Sequence, residues 1–220
     1  SIVAAVEDGR GIYDNIKKFI HYLLSCNAGE IMVMFVSSLI GLPVPLLPIH
    51  ILWVNLITDG LPALALGVDP VDPNIMDRPP RKPTEAVVPK EHAILMLAQG
   101  SFIAFCSLLA FVFVLFIEKE GLARARTAAF IVLSCSQLFH SFNCRSATVS
   151  LFKLGLFTNK KLIYATILSF TLQMAVVYTP FLQTVFKTEA LGVFDWCLVL
   201  LISSFPLWAM EIWKALLRKR

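Results

Sequence analysis

Leu52-Trp53-Val54-Asn55-Leu56-Ile57-Thr58-Asp59-Gly60-Leu61-Pro62-Ala63 is an apolar run that carries a carboxylate and then two residues that disfavour helix. Moving an Asp from water into hydrocarbon costs roughly 2.5–3.5 kcal/mol at a helix centre, so a membrane helix keeps one only for a task or a partner. Asn55, Thr58 and Asp59 stand at i, i+3 and i+4 and share one helix face. Pro62 has no N–H for a helical hydrogen bond, so a break near Gly60 and Pro62 frees carbonyls and turns Asp59 toward a cavity.

The surroundings support a membrane setting. Of the 220 residues, 57% are hydrophobic and 15% charged, against about 45–50% and about 25% in ordinary globular chains. This apolar excess falls into stretches near the ~20 residues that cross a bilayer. Six spans are expected, at about 12–42, 46–66, 92–117, 123–142, 160–178 and 194–217, the second broken near Gly60-Pro62. Residues 1–18 form a stalk start and 67–91 a polar loop rich in Pro, Asp, Arg and Lys. The fold class is all-α: one polytopic membrane domain, a bundle of six transmembrane helices. No strand-like alternation is sustained, which disfavours a barrel.

An even number of spans puts both ends on one side. Fifteen Lys and Arg residues then collect in the N-terminal segment, the 67–91 loop, the loop after the fourth span and the tail. Lys119, Arg124, Arg126 and Lys187 face the other way. The positive-inside rule makes the richer face cytoplasmic, with both termini on it. The net charge of +4 follows from this topology, and no nucleic-acid partner is implied. The chain opens at Ser1 without the pattern of a signal peptide and reads as a piece of something longer. Cys26, Cys106, Cys135, Cys144 and Cys197 form no CxxC pair and read as small buried side chains.

A second carboxylate, Glu30, lies in the first span three residues after Asn27 and on the same face. The spans as read carry no Lys or Arg at comparable depth. Two unpaired intramembrane acids beside amide and hydroxyl oxygens point to a hard cation, since calcium takes six to eight oxygens at about 2.3–2.6 Å. Manganese accepts a similar shell. The candidate ligands are Asn27, Glu30, Asn55, Thr58 and Asp59, with Gln137 as a further one. Against this stand plainer readings: Asp59 as the cap of a half-helix, and Glu30 protonated and bonded to a neighbouring span. His140 reads as a core histidine, Asp195 as an N-cap, Glu211 as a partner of Lys214, and the four tryptophans as anchors and packing.

These residues carry a resemblance. The 52–63 stretch looks like the sixth transmembrane helix of calcium-type P-type ATPases. Gly9-Arg10-Gly11-Ile12-Tyr13-Asp14-Asn15-Ile16-Lys17-Lys18-Phe19, followed by Asn27-Ala28-Gly29-Glu30, is similar to their fifth. Ile75-Met76-Asp77-Arg78-Pro79-Pro80-Arg81 resembles the loop after the sixth. The chain then corresponds to helices five to ten of such a pump. The resemblance implies calcium as the transported ion, with ATP and magnesium acting in cytoplasmic domains outside this chain. It implies aspartyl phosphorylation with proton counter-movement, and as partners helices one to four, those domains and the bilayer. It makes the five residues above cation ligands and Asp77, Arg78 and Arg81 a loop that couples to the phosphorylation domain.

Two departures go with it. Ser134 stands where two-calcium pumps carry a glutamate in the eighth helix, which favours one ion per cycle. The DKTGT, TGD, GDGxND and PEGL motifs are absent, so this chain alone is expected to be inactive. A sodium/potassium-type pump would carry Asp at Asn55, and a heavy-metal pump a CPC motif. The alternative is a non-enzymatic six-helix channel, carrier or regulatory membrane subunit.

Overall fold

A computed structural model describes residues 1–79 and 87–217, the side chain of Leu217 excepted; every described element is helical or a turn. The helices are α1 (Ile2–Leu39), α2 (Pro48–Trp53), α3 (Gly60–Leu66), α4 (Lys90–Val112), α5 (Leu122–Asn143), α6 (Leu151–Leu154), α7 (Lys160–Tyr178), α8 (Pro180–Phe186) and α9 (Val193–Leu217). Among the described residues five helices are long and apolar enough to cross a membrane: α1, the α2–α3 rod, α4 with its π-helical extension to Glu118, α7 and α9. The fourth expected span is also a helix, the 22-residue α5. Its Arg, Ser, Gln, His and Asn side chains make it too polar to count by composition, yet it is the helix with the longest run of buried residues.

Why the most polar helix sits innermost follows from the solvent. Lipid tails are as apolar as leucine, so packing and interhelical hydrogen bonds, not water exclusion, decide which face turns inward. Polar groups of α5 find partners there: Ser107 Oγ of α4 donates to the Ala129 carbonyl, and Asn143 Nδ2 donates to the Pro206 carbonyl of α9. Apolar side chains then fill the space between, with Val33, Ile103, Phe111, Phe130 and Val176 in one core.

α1 has 38 residues. At 1.5 Å per residue it is about 57 Å long, nearly twice the ~30 Å of hydrocarbon. It begins well before the expected start near residue 12, and residues 2–9 are exposed. It packs on α4 through glycines. A Cβ on Gly100 would lie 2.4 Å from the Ser25 carbonyl oxygen, and one on Gly29 3.1 Å from the Gly100 oxygen. Only residues without a side chain let two backbones meet this closely.

The second span is interrupted slightly earlier than Gly60-Pro62, in a different way from a clean break. Val54–Thr58 form a π-helical turn, closed by Asp59 N–H donating to the Val54 carbonyl at 2.8 Å. α3 then starts at Gly60. Because Pro62 cannot serve the Thr58 carbonyl four residues back, Tyr22 Oη donates to it at 3.3 Å. The Ile57 carbonyl accepts from Ser169 Oγ of α7 at 3.1 Å. Side chains from α1 and α7 thus satisfy the backbone groups that the irregular turn leaves open.

Below α3 the chain is gathered by one buried carboxylate. Asp69 accepts from Lys18 Nζ at 2.7 Å, Arg145 Nε at 3.0 Å and Asn159 Nδ2 at 2.7 Å, while its carbonyl accepts from Asn15. Four segments meet there: α1, the loop after α3, the loop after α5 and the start of α7.

Candidate functional site

Both intramembrane carboxylates expected from the sequence are buried, Glu30 at 4% exposure and Asp59 at 0%. Glu30 Oε2 accepts from Asn55 Nδ2 at 2.6 Å, and its Oε1 accepts from Gln137 Nε2 at 3.2 Å. Asp59 Oδ1 accepts from Tyr22 Oη at 3.1 Å, and Oδ2 has no partner among the described residues. Gln137 Oε1 and Ser134 Oγ are likewise buried without partners. The site therefore joins α1, the π-helical turn and α5. Among the described residues neither acid has an ion pair. The buried cations are occupied elsewhere: Arg145 by Asp69, and Lys214 by Glu211 at 3.1 Å.

The π-helical turn explains how Asn55 and Asp59 come to differ in setting. An extra residue per turn shifts the register, so Thr58 and Asp59 point into the bundle while Asn55 and Leu56 are exposed on its flank. Asp59 does not cap α3 with its side chain, so the plain capping reading does not hold. Asn27 is half-buried and lies outside the hydrogen-bonded set, on an α1 stripe with exposed Leu24, Ile31 and Phe35. Asn55 is exposed as well. Chemically, the arrangement offers carboxylate, amide and hydroxyl oxygens, several of them bare, which suits a hard cation and no soft one.

Tyr22 was not singled out from the sequence. Its signal was its position eight residues before Glu30 on the buried stripe of Tyr22, Cys26, Glu30 and Val33. His140 is only half satisfied: Nε2 pairs with Ser25 Oγ at 2.8 Å and Nδ1 has no partner among the described residues. Asp195, on the first turn of α9, accepts from the Gly192 N–H and from Arg124. Glu211 pairs with Lys214 and also accepts from the Leu151 N–H at the start of α6. Trp53 Nε1 donates to Gln173 and Trp196 Nε1 to Tyr178, whereas Trp208 and Trp213 face outward. Of the cysteines, only Cys197 is exposed.

In the loop after α3, Asp77 is exposed in a 3₁₀ turn and Arg81 lies outside the described residues. Arg78 is held by this chain itself: Nη1 donates to Asp14 at 2.7 Å and Nη2 to Asp72. The Asn74 N–H and then Arg78 keep the Asp72 carboxyl below the usual carboxylate range. Arg10 completes the clasp by donating to the Ile75 and Arg78 carbonyls. The loop is thereby fastened to the exposed half of α1.

The architecture is that of a polytopic membrane domain, an all-helical bundle with two buried acids beside a helix irregularity. The family described as cation transporting ATPase, C-terminus, matches residues 43–216, and the chain belongs to it. The chain is 47% identical over 229 residues to calcium-transporting ATPase 1 of Bacillus cereus, covering 97% of this chain and 26% of that protein. It is 46% identical over 206 residues to the calcium-transporting ATPase of Bacillus subtilis (94% and 23%). It is 36% identical over 221 residues to calcium-transporting ATPase type 2C member 1 of Pongo abelii (100% and 24%). The chain thus spans about a quarter of the length of these relatives.

Proposed function

We propose that this chain is the membrane half, helices five to ten, of an ATP-driven calcium pump, and that it supplies most of one cation site. The observation that carries this reading is Asp59, wholly buried with one carboxylate oxygen bare, four residues along from Asn55, which bonds the buried Glu30. A calcium ion drawn to that oxygen would neutralise both acids. It would replace the Asn55 and Gln137 hydrogen bonds with direct oxygen ligands. Thr58 and Asn27 complete the proposed set, with Asn27 turning in from the α1 stripe. Ser134 in place of an acid on α5 limits the charge and supports one ion per cycle.

In this reading the remaining helices of the pump pack against exposed Asn55, Leu24, Ile31 and Phe35 and add the missing ligands. α1 is the mechanical link. It runs unbroken from Glu30 to Asp14 and Arg10, which grip the loop around Arg78. In this reading Asp77, Arg78 and Arg81 meet a cytoplasmic phosphorylation domain that uses ATP and magnesium, and both termini are cytoplasmic. A rigid helix carries a displacement of that loop to the ligands with little loss.

The test uses the full-length protein with Asp59→Asn, scored by calcium-dependent phosphorylation from ATP. Bonds to charged groups contribute about 1.5–3 kcal/mol, so apparent calcium affinity should fall roughly ten- to hundredfold. Undiminished affinity would remove Asp59 from the ligand set.

A further inference from the structure

A second cluster of ligating side chains lies beside Tyr22, whose ring centroid is 6.2 Å from that of His140, and has different chemistry. His21 of α1, His140 of α5 and Cys144 at the end of α5 each offer one ligand atom, and these atoms lie within 4.8 Å of one another. Cys144 Sγ and His140 Nε2 are already 3.3 Å apart. A tetrahedral ion with bonds near 2.0–2.3 Å holds its ligand atoms ~3.4–3.7 Å apart, so closing the set needs a shift of about 1 Å. The two α5 residues are four apart and share a face.

The surroundings are arranged as metal sites require. A ligating histidine is normally oriented by a hydrogen bond at its other nitrogen. His21 Nε2 is bonded to Gln99 Oε1 at 2.6 Å, which leaves Nδ1 as the nitrogen with the lone pair. His140 is 0% exposed; its Nε2, the nitrogen 3.3 Å from Cys144, also pairs with Ser25 Oγ at 2.8 Å, a bond that an ion would displace, and its Nδ1 has no partner among the described residues. Gln99 also donates to Met210 Sδ at 3.0 Å, so a thioether stands at the edge of the set. His21, Cys144 and Met210 line a cavity of about 920 Å³ that also meets the loop after α3. An ion has a way in, and the thiol proton released on binding has a way out.

We propose that His21, His140 and Cys144 form a binding site for a zinc-type divalent ion, distinct from the oxygen site at Glu30 and Asp59. Imidazole and thiolate select borderline and soft ions, whereas calcium requires oxygen ligands and does not compete here. A bound ion fastens α1 to α5 beside Tyr22, which bonds Asp59, and one turn from Gln137, which bonds Glu30.

The experiment takes the full-length protein in detergent, stripped with chelator, and titrates it with cobalt(II) as the spectroscopic probe. The expected result is one cobalt per chain, with the intense ligand-field bands of a tetrahedral ion and a thiolate-to-cobalt charge-transfer band. Zinc then bleaches the spectrum, and millimolar calcium leaves it in place. Cys144→Ser removes the charge-transfer band, and His21→Gln, on the cavity wall where folding is least at risk, weakens cobalt binding about tenfold or more. Cys197→Ser and Asp59→Asn leave the spectrum unchanged, which separates this site from the transport reading. A weak octahedral spectrum, displacement by calcium, or full-strength binding in His21→Gln overturns the proposal.

Discussion

Replacing Gly100 by Ala places a methyl carbon 2.4 Å from the Ser25 oxygen, 2.8 Å from the Gly29 nitrogen and 3.0 Å from the Ala28 Cβ. Ordinary contact begins at 3.4 Å, so α4 must retreat from α1 by about 1 Å. Overpacking costs about 1–3 kcal/mol, and backbone facing backbone belongs at the upper end because neither side has a rotamer to change. Alanine returns up to about 1 kcal/mol through its better helix propensity. The net loss is about 2 kcal/mol, or roughly 4–8 °C in Tm for a domain of this size. The assay is thermal unfolding in detergent, followed by tryptophan fluorescence. Gly9→Ala is the reference, since a Cβ there meets nothing within 4 Å and should hold or raise Tm. Gly29→Ala, at 3.1 Å, should fall between. If Gly100→Ala unfolds at the same temperature as Gly9→Ala, the helices do not depend on this approach and the packing argument fails.

Two further outcomes are expected. Tyr22→Phe deletes the donor to Asp59 Oδ1 and to the Thr58 carbonyl, so the calcium-free protein should lose about 1.5–3 kcal/mol. Saturating calcium should restore part of the loss if the ion takes over Asp59, and an equal loss with and without calcium would separate Tyr22 from the site. Asp69→Ala leaves Arg145, whose side chain is 2% exposed, without its carboxylate. Stranding a buried charge costs about 3–5 kcal/mol, visible as a sharp drop in the folded fraction after purification; a wild-type yield and Tm would show that the four-segment junction is dispensable.

The acids at Glu30 and Asp59 were legible because a carboxylate in an apolar run is costly wherever the helix faces. Spacing alone put Asn55, Thr58 and Asp59 together, and Pro62 announced an irregularity. Its form was not legible: a π-helical turn at Val54–Thr58 is stabilised by Tyr22 and Ser169, which lie 36 and 112 residues away. The burial of α5 was hidden for a related reason, since its polarity argues for exposure in water and for the interior in lipid.

The sequence by itself determined that the chain is a bundle of membrane helices with two acids held in oil, because length, apolarity and the cost of burying charge are local quantities. Which oxygens pair, which stay bare, and that His21 meets His140 and Cys144 were decided only by the tertiary structure. Hydrocarbon gives a helix no preferred inner face, so glycine contacts and interhelical hydrogen bonds between distant residues have to choose it.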